Sequence, residues 1–381
     1  MTGANTIDGA SGTGLQITNA SGTFSNITFG ANSAIGGAGI QIANSDATSR
    51  TVALSSITMG SGGAGDTGDV GGIGVDINSS GSGVLTVNLT GTNFIRSTGQ
   101  ALDADETNGA LNRLLLSIDN TTFESNAAGV PTVEITGQNV STTTSSVGVR
   151  SFSGNAVRGN GTGGGILFTA VDFDGDGAGT AVSAGTLNIG QLANFVQGDG
   201  LSLIDTTGEL TLGTLSIYNN GGTGLEVDTK TNGFNTDFTL NGGGSGTILT
   251  TNGAALWLDP LTMNLSFGSV TSTNSGGNGV FIDGAAKGQT YEGEWADDAM
   301  AGRGAFRYAT SAKYEGEFLN NQYQGHGTYT FPSGAVYDGP FVENQMHGEG
   351  TYTDEHGVQW KGTFYMGSGP GLPGHASAQA S

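Results

Sequence analysis

The chain has 381 residues, a formal net charge of −22 and no cysteine. This acidic charge repels nucleic-acid phosphates, so DNA or RNA is not expected as a partner. The absence of cysteine excludes disulfides, cysteine-ligated zinc and thiol catalysis. Glycine accounts for 71 residues without a Gly-X-Y period, which excludes collagen, and the apolar residues form short alternating runs typical of many short strands.

An irregular repeat, a glycine followed by an apolar-x-apolar triplet, runs through residues 5–286. Alternation of period two points one set of side chains inward, and the glycine permits a tight turn before each run. The copies recur every roughly 22–36 residues, a spacing found in stacked solenoids. Clear copies occupy residues 14–17, 39–42, 74–77, 200–203, 224–227 and 279–282, and looser copies occupy 129–130, 165–166 and 253–256.

Coils of this kind bury their apolar face only when they are stacked on one another. The pattern resembles the right-handed parallel β-helix of bacterial surface and autotransporter passenger proteins and of pectin-acting enzymes. We therefore predict that residues 1–286 form a parallel β-helix domain.

One candidate metal site lies in this part, in the run Asp172-Phe-Asp174-Gly-Asp176-Gly. Three carboxylates in a tight loop are hard oxygen ligands of the kind that Ca²⁺ requires. The EF-hand pattern would need a glutamate at position 183, which is Ser183 here, so an acidic turn between coils is the competing interpretation. Apart from Ca²⁺ at this run, no cofactor is expected.

The other acidic cluster, Asp103-Ala-Asp105-Glu106, is interpreted as a solvated loop. An enzyme acting on polysaccharides would need carboxylates clustered on one exposed strand face, with arginine or lysine for lyase chemistry. No basic residue is paired with a carboxylate at a repeat-related offset. We therefore expect the chain not to be an enzyme.

The composition changes sharply near Lys287-Gly288. Residues 1–286 hold 14 aromatic residues, whereas residues 287–381 hold 15 in a third of that length, together with all four histidines. A second architecture is therefore expected to begin here.

Residues 291–366 carry a motif of the form aromatic-x-Gly-x-aromatic that recurs with a constant period of 23 residues, and the first three copies are each followed by a Gly-x-Gly strand. Positions one, three and five of the motif share one face of a strand. The motif positions are Tyr291, Gly293 and Trp295; Tyr314, Gly316 and Phe318; Tyr337, Gly339 and Phe341; and Trp360, Gly362 and Phe364.

This period and motif identify the segment as similar to the MORN (membrane occupation and recognition nexus) repeat family, and residues 302–366 look most similar to a small vertebrate member. The resemblance implies β-hairpins stacked side by side. We predict an all-β chain: a right-handed parallel β-helix solenoid, then a MORN hairpin array of four repeats at 287–367, and a disordered tail at 368–381.

The family resemblance implies binding to anionic phospholipid or to proteins, and self-association is a further alternative. Residues 287–381 hold 5 basic and 11 acidic residues, a balance that opposes anionic lipid unless Arg303, Arg307 and Lys313 share one face. We therefore favour a protein partner. Tyr323 lies outside the strand motif and is the expected surface contact, since exposed tyrosine favours interfaces.

The N-terminal residues show no basic and apolar signal segment, and no apolar run is long enough to span a bilayer. The expected location is the cytoplasm, or the cell surface if an export region precedes this sequence. The expected function is a non-enzymatic scaffold with the β-helix as a rigid stalk. The alternatives are a phospholipid-associated protein, and a surface adhesin or polysaccharide-acting enzyme.

Overall fold

The structure, a computed structural model, describes the chain in eleven stretches. These are residues 4–30, 34–60, 70–91, 93–141, 143–173, 180–229, 237–259, 262–282, 289–296, 299–308 and 312–372, with the backbone alone at 289, 290, 292, 295, 296 and 299. Every regular element within them is a β-strand, which confirms the all-β class. Two units are formed, Met1–Gly279 and Val280–Ser381.

The first unit contains 26 described strands, most of them short. In chain order they are β1 (Asn5–Ile7), β2 (Leu15–Thr18), β3 (Gly22–Phe29), β4 (Ile40–Asn44), β5 (Arg50–Met59), β6 (Val75–Ser79), β7 (Leu85–Thr90), β8 (Asn93–Ser97), β9 (Leu102–Glu106), β10 (Leu114–Ile118), β11 (Thr121–Ser125), β12 (Val133–Thr136), β13 (Val147–Ser151), β14 (Ala156–Val157), β15 (Ile166–Thr169), β16 (Val171–Phe173), β17 (Val182–Ile189), β18 (Val196–Gln197), β19 (Leu201–Ile204), β20 (Thr207–Asn220), β21 (Leu225–Asp228), β22 (Phe238–Gly242), β23 (Thr247–Thr251), β24 (Leu256–Asp259), β25 (Thr262–Leu265) and β26 (Ser269–Thr273).

These strands build two parallel sheets in which each coil pairs with the next coil along the chain. The first sheet contains β2, β4, β6, β9, β12, β15, β19, β21 and β24, and the second sheet contains the other seventeen strands. From one coil to the next the first sheet advances by 24 residues (Leu201 to Leu225) to 35 residues (Ile40 to Val75). This is the predicted solenoid of stacked parallel strands.

The core consists of aliphatic ladders that run from coil to coil. The parallel register places Ile17, Ile42 and Ile77 side by side on successive strands of the first sheet, and all three side chains are buried. Burial of each such side chain contributes roughly 1.5–3 kcal/mol, and each one is covered by the equivalent residues above and below.

The glycines that precede the first-sheet strands serve close approach between coils rather than a turn. A Cβ at Gly39 would lie 2.7 Å from the carbonyl oxygen of Gly74, and one at Gly74 would lie still closer to the carbonyl of Ala101. A glycine alone therefore does not mark where a strand begins. The looser copy predicted at 129–130 was misplaced, because the strand of that coil begins at Val133.

Buried asparagines connect the coils at the second sheet. Asn93 accepts the backbone N–H of Ile57 at 2.9 Å and donates to the Thr121 hydroxyl at 3.1 Å. The N–H of Thr121 in turn donates to Asn155 at 3.0 Å, and Asn155 donates to the carbonyl of Ile118 at 2.7 Å. These bonds satisfy backbone groups that the strand ladders leave open.

The second unit is a meander of antiparallel strands. Its strands are β27 (Val280–Ile282), β28 (Gln289–Ala296), β29 (Ala299–Tyr308), β30 (Lys313–Leu319), β31 (Gln322–Thr330), β32 (Val336–Val342), β33 (Gln345–Met346), β34 (Gly348–Thr353) and β35 (Gln359–Phe364). From β28 to β32 each strand pairs with the next, β32 pairs with both β33 and β34, and β34 pairs with β35. The predicted hairpin array is therefore present.

Both ends of this unit differ from the predicted boundaries. The triplet at 280–282 belongs to the second unit, where Ile282 lies opposite Tyr291 in an antiparallel pair. At the other end, Tyr365 and Ser368 exchange backbone hydrogen bonds of 2.8 and 3.0 Å, and Gly369 is buried against the ring of Phe364. The segment 368–372 is thus packed, and residues 373–381 lie outside the described part of the chain.

Because core side chains of successive coils pack on one another, truncating one of them should reduce the stability of the chain strongly. Leu203→Ala, at a fully buried position, is expected to lower the free energy of unfolding by about 2–5 kcal/mol through lost contacts and an unfilled cavity. The measurement is urea denaturation of the full chain. Leu192→Ala is the matched control, because Leu192 is exposed and its truncation should change stability by no more than about 0.5 kcal/mol. Equal losses in the two variants would contradict the ladder.

Candidate functional site

A row of glycines crosses the hairpin array perpendicular to its strands. The register pairs Gly293 with Gly304, Gly304 with Gly316, Gly316 with Gly327, and Gly327 with Gly339. Gly350 and Gly362 continue the row on the last two strands. One face of the sheet therefore has a channel without side chains at its centre.

The first aromatic residue of each of the first three motifs, a tyrosine, fills this channel. The ring of Tyr314 is fully buried and lies over Gly316 and Gly327, where an added Cβ would approach it to within about 2.5 Å. Tyr291 covers Gly293 and Gly304 in the same manner. The Tyr-x-Gly spacing is thus explained by one ring that needs two glycines, one on its own strand and one on the next.

Burial of these phenols changes their acidity. Desolvation, reinforced by the neighbouring carboxylate of Glu294, raises the pKa of Tyr291 to about 12. Desolvation, with the carboxylate of Asp338, also raises the pKa of Tyr337 to about 12. Both hydroxyls therefore stay protonated and act as hydrogen-bond donors at neutral pH.

Each hydroxyl donates to carbonyls at a bulge in its hairpin. The pairing of β30 with β31 shifts after Gly316, and Gly325 there adopts a φ of +61°. The Tyr314 hydroxyl donates to the carbonyls of Glu317 at 2.9 Å and Gln324 at 3.3 Å. The first repeat has the same arrangement, with Tyr291 donating to the carbonyl of Glu294 at 2.9 Å. The bulge is thus a built feature of the repeat.

Asparagines in the hairpin turns connect each repeat to the one before it. Asn320 and Asn321 both have positive φ, as a two-residue hairpin turn requires. The Asn321 side chain accepts the N–H of Met300 at 2.7 Å, and its own N–H donates to the Met300 carbonyl at 3.1 Å. Asn344 binds Tyr323 through the same two bonds, also at 2.7 and 3.1 Å.

Tyr323 is part of the core, so its assignment as an exposed contact residue was wrong. It is 6% exposed and stacks on Tyr314 with ring centroids 3.7 Å apart. The Tyr323 hydroxyl lies 2.5 Å from the hydroxyl of Tyr308, and burial raises the pKa of Tyr323 well above its ordinary value. The 23-residue period contained the correct signal, because the equivalent positions hold Met300 and Met346, which pack against the same cluster.

The other motif aromatics line the same core. Tyr291, Phe318, Tyr337, Phe341 and Phe364 are buried and Trp360 is partly buried, whereas the side chain of Trp295 lies outside the described part. Contacts between them are mostly edge-to-face, as between Tyr314 and Phe318 at 5.1 Å. This geometry is the favoured one for packed aromatic rings.

The opposite face of the array points outward and carries the three basic residues predicted as a lipid contact. Arg307 and Lys313 are directly opposite one another, and Arg303, four residues before Arg307 on the same strand, shares their face. Carboxylates are interleaved with them: Arg303 is opposite Glu317, and the Lys313 ammonium lies 2.5 Å from Glu315. The cluster is therefore a mixed-charge surface.

The outward face also exposes apolar side chains at one repeated position. Leu319, Val342 and Tyr365 each follow the last aromatic of a motif and are separated by 23 residues. They are 55%, 38% and 70% exposed. We call these three residues the apolar stripe. The motif search missed them because they fall one residue outside the five-residue motif, although the same period contains them.

Carboxylates form a second cluster, on the outer face of the solenoid. Asp103 is in strand β9, flanked in register by Asp76 on one neighbouring coil and Glu134 on the other. The interpretation of residues 103–106 as a solvated loop was therefore wrong. Glu106 is buried and accepts the backbone N–H of Asn108 at 2.7 Å and of Gly109 at 3.0 Å.

We call this row of carboxylates the acidic ladder. Its arrangement raises the pKa values of several of its members. Partial burial is the largest cause, and the charges of Asp105, Glu134 and Asp76 add to it, so the pKa of Asp103 rises to about 7. Burial, with the charge of Asp76, also raises the pKa of Asp105, and burial, with the charge of Asp105, raises the pKa of Glu134.

The candidate calcium run is only partly described. Asp172 is in β16 with its side chain buried, and Asp174 and Asp176 lie outside the described residues. The calcium assignment stays a prediction. Over the described stretches, no three acidic or histidine side chains are arranged as a metal site.

Comparison with known families settles the character of the array. The MORN repeat family matches residues 291–313, 314–336 and 337–355. MORN repeats are present in the second unit. The fourth motif lies beyond the matched residues, although Gly362 of β35 pairs with Gly350 in the same row of glycines. No curated protein matches the chain. Within the described stretches, no helix has the length and apolarity needed to span a membrane.

The buried MORN tyrosine predicts a stability loss when its hydroxyl alone is removed. Tyr314→Phe should cost about 1–2 kcal/mol, because the bulge carbonyls of Glu317 and Gln324 lose their donor. Tyr365→Phe is the matched control at an exposed tyrosine, and it should be neutral within about 0.5 kcal/mol. Thermal and urea unfolding of both variants measure the difference, and a neutral Tyr314→Phe would refute the role of the hydroxyl.

The acidic ladder predicts that stability depends on pH. Because the folded-state pKa of Asp103 lies above its ordinary value of 3.8, the folded chain holds a proton that the unfolded chain releases. Its contribution to stability should therefore decrease as pH rises from about 4 to about 7. Asp103→Asn should stabilise the chain by about 1 kcal/mol at pH 8 and leave it nearly unchanged at pH 4, since solvent screens part of the repulsion.

The control for this series is Glu343→Gln, which alters an exposed carboxylate outside the ladder. Urea unfolding from pH 4 to pH 8 gives the comparison. If Asp103→Asn and Glu343→Gln had the same pH profile, the ladder would not be a source of repulsion.

Proposed function

We propose that this chain is a non-enzymatic scaffold that captures a protein partner on the outward face of its MORN repeats. The observation that carries the proposal is the apolar stripe, in which Leu319, Val342 and Tyr365 occupy one position in three successive repeats and all project into solvent. The solenoid would serve as a rigid stalk.

Large apolar side chains that contact water are unfavourable unless a partner covers them. A row of such exposed side chains therefore marks an interaction surface. The stripe has a polar border, since Gln322 is opposite Leu319 and Gln345 is opposite Val342. An apolar centre with a polar rim is the usual anatomy of a protein interface.

The spacing of the stripe suggests what the partner presents. Equivalent positions in successive repeats are two strand separations apart, about 10 Å. Residues seven positions apart on an α-helix are about 10.5 Å apart and share one face. An amphipathic helix with basic flanks fits this spacing and also the acidic balance of residues 287–381, which hold 5 basic and 11 acidic residues.

Binding to anionic phospholipid is the second candidate, because Arg303, Arg307 and Lys313 do share one face. Three basic residues near a membrane would contribute about 3 kcal/mol at most. Glu315 and Glu317 lie on the same face and would oppose the anionic surface. A protein partner is therefore preferred.

Polysaccharide chemistry on the solenoid is less well supported. The acidic ladder supplies neighbouring carboxylates, as glycoside hydrolysis requires. However, none of the nine strands of the first sheet contains a lysine or an arginine that could assist lyase chemistry beside Asp103. We therefore propose no catalytic step for this face.

The test compares three variants of the full chain. The stripe variant carries Leu319→Ser, Val342→Ser and Tyr365→Ser. In quantitative pull-downs it should retain at least 10-fold less of the partner than the parent chain does. It should also bind the purified partner more weakly than the parent chain does. The basic variant Arg303→Gln, Arg307→Gln, Lys313→Gln should retain it fully. Val358→Ser is the matched control, since Val358 is 48% exposed in the same unit but lies outside the stripe.

Vesicles containing phosphoinositides provide the lipid comparison, and sedimentation velocity shows whether the captured partner is a second copy of this chain. Salt-sensitive co-sedimentation that the basic variant abolishes would overturn the preference for protein. Full partner retention by the stripe variant, with unchanged melting temperature, would refute the stripe as the contact surface.

A further inference from the structure

A cavity of 190 Å³ lies on the solenoid where three successive coils enter the first sheet. The middle coil contributes Gly164 and Gly165, which precede strand β15 and have no side chains. Val130 and Pro131 of the preceding coil form one wall, and residues 197–199 of the following coil form the opposite wall. The cavity therefore exists because the middle coil presents bare backbone at this point.

Most of the cavity surface is apolar. Val130 is 37% exposed beside Pro131, and Leu167 projects from β15 between the buried side chains of Ile166 and Phe168. An apolar cavity of about 150 Å³ is large enough to hold benzene. This recess accordingly accommodates an apolar body of the size of one aromatic ring.

Two carboxylates lie on one side of the cavity. The register places Leu167, Ser202 and Glu226 next to one another on three successive strands of the first sheet. Glu226 reaches back towards the cavity, because the Ser202 hydroxyl, which lines it, donates to the Glu226 carboxylate at 3.0 Å. Asp199 is on the cavity wall and accepts the backbone N–H of Thr223 at 2.6 Å, which turns its carboxylate to the side of Glu226.

No cation of the described residues neutralises these two charges. Burial raises the pKa of Glu226 and the charges of Asp199 and Asp228 raise it further, whereas the hydrogen bond from Ser202 lowers it. Over the described stretches, neither Glu226 nor Asp199 forms an ion pair. A cation placed over Ser202 would remove the repulsion between the two carboxylates.

The distance from the recess to the carboxylates sets the shape of the ligand. Ser202 and Glu226 are on adjacent strands, about 5 Å apart, and Ser202 itself borders the recess. A cationic group attached to a ring directly, or through a short alkyl chain, covers this distance. Hydrogen bonds from such a cation to a carboxylate are stronger than those between neutral groups.

We propose that this cavity binds an organic cation, whose ring-sized apolar body occupies the recess beside Leu167 and whose nitrogen cation pairs with Glu226 and Asp199. Either a free amine or amidine, or the arginine side chain of a polypeptide, carries this chemistry. The site belongs to the solenoid and is independent of the interaction proposed for the MORN repeats.

Titration of the full chain with two cations and their neutral counterparts of the same shape tests the site. The probes are benzamidine against benzamide, and acetyl-arginine amide against acetyl-citrulline amide, followed by saturation-transfer NMR and calorimetry at 50 mM salt. At least one cation should bind saturably, at least 10-fold more tightly than its neutral counterpart. Binding of only benzamidine identifies a free small molecule as the ligand, and binding of the arginine amide identifies a polypeptide side chain.

Variants locate the binding. Glu226→Gln keeps an acceptor for the Ser202 hydroxyl but removes the charge, so it should weaken cation binding at least 10-fold. Asp199→Asn should weaken it by a smaller factor, and Val130→Ser should weaken it because the recess loses apolar surface.

Asp76→Asn is the matched control, since it removes one charge from the same row of the first sheet. Asp76 is five coils from Glu226, about 24 Å, which exceeds the screening length of about 14 Å at 50 mM salt. This variant should bind the cation as the parent chain does.

Four results would overturn the proposal. These are no saturable binding of either cation up to 20 mM (a limit about an order of magnitude above a millimolar affinity), equal binding of cations and neutral counterparts, unchanged binding by a folded Glu226→Gln variant, and equal losses in Glu226→Gln and Asp76→Asn. Melting temperatures of all variants establish that they are folded.

Discussion

Close approach at glycine is the constraint on which both architectures depend. In the solenoid the space of a missing side chain at Gly39 is taken by the backbone carbonyl of Gly74 on the next coil. In the MORN array the same kind of space, at Gly316 and Gly327, is taken by the ring of Tyr314. At these positions glycine is required by dense packing of backbone and rings, because an added Cβ would collide.

This packing assigns different tasks to the two faces of the MORN array. The inward face is committed to the tyrosines, their glycines and the stacked ring of Tyr323. The hydroxyls satisfy the bulge carbonyls, so little polarity remains unpaired on that side. The proposed recognition therefore uses the outward face, where the apolar stripe and the mixed charges around Arg303 lie.

In-register stacking has a different consequence in the solenoid, because it brings distant residues of the chain together on one face. Asp76, Asp103 and Glu134 are about one coil apart along the sequence, yet their carboxylates lie on adjacent strands and repel one another. The same stacking places Glu124 between two arginines. Electrostatic features of this unit therefore follow from register and cannot be read from any single segment.

The sequence by itself determined the all-β class, the two architectures and the MORN motif, because period-two alternation and a constant 23-residue repeat are local, regular signals. It also contained the stripe, at positions 319, 342 and 365 of that period. It further contained the burial of Tyr323, whose equivalents in that period are Met300 and Met346. Only the tertiary structure decided that Asp103 belongs to a ladder and that Asp199 borders a cavity. The physical reason is that coil lengths vary from 24 to 35 residues, so the lateral register between coils is set by packing across the solenoid rather than by spacing along the chain.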